Sequence, residues 1–90
     1  MSKAIVDPDE LRRFASDLKR FSGGLDQQMR QLQGRMNALS QSWRDQEQVK
    51  YSEEFEETMR VLQRFIAATD RQVPFLMRKA EKAEEYLRQR

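Results

Sequence analysis

Cysteine and histidine are both missing from this 90-residue sequence. Without them the chain has no thiol nucleophile, no disulfide, no imidazole base and none of the commonest metal ligands. No Glu-x-x-His pair is present, so the carboxylate-bridged metal sites of helical bundles are excluded. Glycine is scarce, and Gly23-Gly24 is not followed by the Lys-Ser/Thr of a phosphate loop. An enzyme is therefore not expected, and neither a catalytic residue, a cofactor nor a metal is assigned. No apolar run approaches the ~20 residues that span a bilayer. The first seven residues, Met1 to Asp7, carry no apolar core of a cleaved export signal.

No single sign of charge dominates. Seventeen basic and fifteen acidic side chains leave a net charge of +2. The signs are mixed along the whole chain, which argues against a nucleic-acid partner, since that needs a concentrated basic stripe. The carboxylate pairs Glu53-Glu54, Glu56-Glu57 and Glu84-Glu85 read as solvated helix faces with partners one turn on, such as Arg60 and Arg88.

What is present is helix periodicity. Asp7-Pro8-Asp9-Glu10 reads as an N-cap acid, a proline at the first helical position and a capping-box acid. Leucine then recurs every seven residues at Leu11, Leu18, Leu25, Leu32 and Leu39. Gly23-Gly24 is either a weak point of this helix or a place where another helix approaches. The pattern lapses around Ser40 to Gln46, where Asp45 can cap a second helix with Gln48 three residues on. From there Phe55, Met59, Leu62, Ile66, Val73 and Leu76 alternate by three and four. Pro74 falls inside this run and predicts a kink in a continuous helix.

The expected fold is all-α: helix one over about 8–40, a turn over about 41–46 and helix two over about 47–88, in one antiparallel hairpin domain. The core is expected from Leu11, Leu18, Leu25, Leu32 and Leu39 against Phe55, Met59, Leu62, Ile66, Val73 and Leu76. Folding at Trp43 sets Leu32 opposite Phe55, Leu25 opposite Leu62, Leu18 opposite Thr69 and Leu11 opposite Leu76. A second set, Phe14, Phe21, Met29, Met36, Val61, Phe65, Ala68 and Phe75, widens the apolar face beyond one seam. Two helices cannot bury both sets, so pairing of two hairpins into a four-helix bundle is expected.

Trp43 is the lone tryptophan, and it stands in the turn. It either folds back to close the tip near Val49 or Tyr51, or lines a surface groove. At Trp43-Arg44-Asp45 the chain resembles the WXG hundred-residue family, the small helical hairpins of type VII (Esx-type) secretion, with Trp-x-Gly in the turn. The resemblance covers the whole chain. It implies an antiparallel homodimer, or pairing with a paralogous hairpin. It also implies a role as secreted substrate or as adaptor, with a secretion ATPase or a larger secreted protein as further partner. The chain would then be cytoplasmic or secreted without a cleaved signal peptide. Trp43, Asp45 and Tyr86 are the positions it implies for recognition. Asp45 stands where the family has glycine, and Tyr86 is followed four residues later by Arg90, where the family carries an acid. A cytoplasmic coiled-coil scaffold or chaperone-like adaptor is the alternative that the same periodicity allows.

Overall fold

The computed structural model describes residues 6–89; the N-terminal stretch read above for an export signal lies mostly outside them, and so does Arg90. Two helices make up the fold: α1, Pro8–Ser42, and α2, Gln46–Arg88. Asp7 caps α1, its carboxylate accepting from the Asp9 amide at 2.9 Å, with Pro8 at the first helical position. The turn is three residues, Trp43 to Asp45, which is shorter than the sequence suggested. α2 runs through Pro74 without interruption.

The hairpin measures 68 × 20 × 13 Å. The smallest extent is close to one helix diameter of ~10–12 Å. Among the described residues no third layer covers either broad face. Its radius of gyration of 20.2 Å far exceeds the ~12 Å of a compact domain this long.

The seam between the helices differs from the expected one. The side chains that α1 buries are Pro8, Ala15, Ser22, Met29 and Met36, one every seven residues. α2 answers with Phe55, Met59, Thr69 and Ala80. Leu11, Leu18 and Leu25 are only half-buried, while Leu32 and Leu39 are exposed at 48% and 44%. Leu62, Ile66, Val73 and Leu76 border the seam, half-buried. The assignment of Leu32 and Leu39 to the core is thus corrected, and so is that of Met29 and Met36 to the outer face. The physical reason is size. Ala15 and Ser22 look like gaps in an apolar stripe, yet small side chains let two helices approach closely. The leucine stripe lies ~60° round the helix, at its flank.

The register shifts with the seam. Asp70, next to Thr69, is bonded to Ser22 (3.1 Å), one turn along from the Leu18 expected opposite Thr69. Ser22 is 2% exposed and Thr69 is 4% exposed, and both are satisfied. The Ser22 hydroxyl donates to Asp70 Oδ1, and the Thr69 hydroxyl to the Ile66 carbonyl at 2.9 Å. Gly23 and Gly24 continue the helix, and a methyl group at either would meet nothing within 4 Å. Close approach of the other helix is therefore not their purpose within this chain.

Candidate functional site

The two broad faces of the hairpin are unlike. Arg12, Lys19, Asp26, Gln33 and Ser40 recur every seven residues along one flank of α1. This polar flank carries cross-helix bonds. Arg12 meets Glu84 at 2.6 Å. The Gln48 side-chain Nε2 donates to Ser40 Oγ at 3.0 Å and to Ser52 Oγ at 2.7 Å. The Arg12 hydrogen bond, then its charge, holds the Glu84 carboxyl below its ordinary value.

The opposite flank is apolar. By helical periodicity Phe14 and Phe21 share it with the leucine stripe. Phe21 and Phe65 touch across the helices edge to face, with ring centroids 6.2 Å apart. Phe14, Phe21, Val61, Phe65 and Phe75 are all exposed, and Ala68 is half-buried. Four of the five phenylalanines thus face solvent, and Phe55 alone is buried. The accessible surface is 7204 Å², against the ~5,500 Å² expected of a compact monomer of 10.8 kDa.

At the tip, Trp43 ends α1 in extended backbone, its amide donating to the Leu39 carbonyl at 2.9 Å. The indole is half-buried and lies 5.8 Å from the Tyr51 ring, which in turn stacks on Phe55 at 6.2 Å. Of the two places expected for it, the tip closure against Tyr51 is the observed one. Asp45 caps α2, its carboxylate accepting from the Gln48 amide at 3.0 Å. Its φ is −92° and ψ −176°. This is extended backbone open to any residue, so the position does not require glycine. Gln48 was expected to complete a capping box; its side chain instead staples Ser40 to Ser52 across the tip.

Tyr86 stands exposed near the far end of α2. It is 43 residues from Trp43, or ~60 Å at helical rise. One chain therefore does not bring the two recognition candidates together. The polar ties escaped the sequence reading, although the heptad of Arg12, Lys19, Asp26, Gln33 and Ser40 was the signal that could have shown them. Among the described residues no group of three or more carboxylates could hold a metal ion. Among the same residues no helix is long and apolar enough to cross a membrane.

Comparison with known proteins agrees with this geometry. Among solved structures, a secreted protein EsxB of Bacillus anthracis strain Sterne is similar. Its wild-type form shares 28% identity at a TM-score of 0.79, covering 93% of this chain and 97% of that one. A point variant of the same protein reaches a TM-score of 0.84 at 29% identity, covering 94% and 96%. Among curated proteins, none matches by sequence. Residues 4–86 match the family described as proteins of 100 residues with WXG. With that match over nearly its whole length, and with the hairpin and the tryptophan turn in place, this chain belongs to the WXG100 family.

Proposed function

We propose that the protein acts as a pair of hairpins, joined tip to base through the apolar face, and that the pair is a secreted substrate or adaptor of a type VII (Esx-like) secretion system. The observation that carries this reading is the open face bearing Phe14, Phe21, Phe65 and Phe75. A contiguous apolar surface of this kind on a soluble chain marks an interface. The surface in excess of a compact monomer, ~1,700 Å², is more than the ~800 Å² that each partner contributes to a standard interface. Family membership and the secreted EsxB relatives support the link to export.

Charge supports the tip-to-base orientation and a second copy as the partner. The first part of α2 is acidic: Glu47, Glu53, Glu54, Glu56 and Glu57 against Lys50. The last part is net basic: Arg71, Arg78, Lys79, Lys82 and Arg88 against Glu81, Glu84 and Glu85. Antiparallel pairing lays one end against the other, whereas parallel pairing sets acid beside acid. In the antiparallel pair Trp43 of one chain lies near Tyr86 of its partner. That composite surface would be what an export ATPase reads, and a lone chain would lack it. Export is tested by expressing the tagged chain in cells with and without such an ATPase. Appearance in the medium only when the ATPase is present supports the proposal. Retention inside both strains would contradict it and favour the cytoplasmic scaffold.

A further inference from the structure

The hairpin's core is uneven along its length. Among the described residues, every large side chain that it buries lies in the half next to the turn. Met29 and Met36 close on Phe55 and Met59, with Leu25, Leu62 and Ile66 packed against them. In the outer half the buried residues are Pro8, Ala15, Ser22, Thr69 and Ala80. None of these is a large apolar side chain. The large ones of that half stand at the surface: Phe14 and Phe75 are exposed, and Leu11, Leu18, Val73 and Leu76 are only half-buried. Its cross-helix ties are the Ser22–Asp70 hydrogen bond, the Arg12–Glu84 ion pair and, where it meets the inner half, the solvent-exposed edge-to-face contact of Phe21 with Phe65. An ion pair this exposed contributes little to holding two helices together. A helix pair needs a buried apolar face, because helix propensity alone is marginal.

We propose that the outer half of each hairpin is closed by the second copy and not by its own packing, so that pairing and arm closure are one coupled equilibrium. This rests on the tip-to-base pair proposed above. In that pair the aromatic outer half of one chain, with Phe14, Phe21 and Phe75, falls on the inner half of the other. That inner half presents Leu32, Leu39 and Val61, all exposed in the single hairpin. Each chain's self-sufficient half becomes the surface on which its partner's open half is completed. A chain without a partner keeps its tip folded and lets its arms part. Tyr86 stands on the parting arm, so a helical Tyr86 becomes a property of the pair.

Hydrogen exchange with mass spectrometry on the full chain tests this, at concentrations above and below dissociation of the pair. The Leu39→Glu variant serves as a second, partner-free sample, because Leu39 is exposed in the single hairpin and its loss leaves the inner core intact. On dilution, and at every concentration in the variant, amides at 15–22 and 69–80 should lose protection at least about tenfold more than those at 29–36 and 55–62. These segments lie well inside their helices, so fraying of the ends does not enter. Equal loss in both halves, or an outer half as protected as the inner one in the separated chain, would overturn the proposal. Should Leu39→Glu unfold altogether, the dilution series of the unaltered chain decides. Should light scattering find only single chains at all concentrations, the pairing reading fails by itself. The exchange pattern then still distinguishes an open outer half from a closed one.

Discussion

Phe21 and Phe65 meet edge to face across the two helices, at 87° between ring planes, while 57% of one and 44% of the other stay exposed to solvent. The contact joins α1 to α2 on the open side of the hairpin and leaves half of each ring for a partner. Phe65→Glu should therefore abolish pairing and leave the turn half of the hairpin folded, since a charge buried without a partner costs several kcal/mol. Light scattering should fall from about twice the 10.8 kDa chain mass to the mass of one chain. An unchanged doubled mass would remove Phe65 from the interface.

Met36 and Leu32 trade the roles that the sequence suggested. Met36 is buried between the helices, and Leu32 is 48% exposed. On the single-chain background of Phe65→Glu, Met36→Ala should cost about 2–5 kcal/mol. Leu32→Ala should change stability by no more than about 0.5 kcal/mol there. Urea titrations followed by circular dichroism measure both, and the reverse order would restore the leucine seam.

Asp45 occupies the motif's glycine position as an N-cap in extended backbone. Asp45→Ala should destabilise the hairpin by about 1 kcal/mol, and Asp45→Gly by only a few tenths. Thermal melts of the two variants check this. A large gain from glycine would mean that the turn wants a positive φ, contrary to the observed geometry.

Glu84 donates no proton in the folded state at neutral pH; its carboxylate accepts from Arg12, which lowers its pKa below the ordinary 4.5. The unfolded chain thus binds protons more readily than the folded one. The stability from this pair is full above the unfolded value and is lost as pH falls through the lower, folded value. Melting temperatures between about pH 3 and 7 should fall on the acid side. Glu84→Gln should make that fall shallower, and an identical slope would show the pair to be idle.

Much of this architecture could be read from the chain, and the failures have a common cause. Asp7-Pro8 and Asp45 gave the two helix starts because caps are local chemistry. The side of the hairpin that remains open was legible in Phe14, Phe21, Phe65 and Phe75. The seam was not, because α1 carries two adjacent heptad stripes and hydrophobicity favours the leucines. Close packing favours Ala15 and Ser22, and that preference appears only once a second helix is present. Gln48 failed in the same way. Its spacing from Asp45 suggested a local capping box, whereas Ser40, eight residues back, offered a bond across the tip.

Transfer of excitation energy between chains tests the central claim, the tip-to-base pair, most directly. The protein has a single tryptophan and no cysteine, so Trp43 is a unique donor and Tyr86→Cys a unique site for an acceptor. Donor chains are unaltered, and acceptor chains carry Trp43→Phe with labelled Tyr86→Cys. Within one chain the two sites are ~60 Å apart at helical rise, too far for efficient transfer from tryptophan. On mixing, an antiparallel pair brings Trp43 of one chain beside position 86 of the other, and donor emission should be strongly quenched. Undiminished donor emission in a mixture shown by light scattering to be dimeric would mean parallel pairing, and would contradict the account.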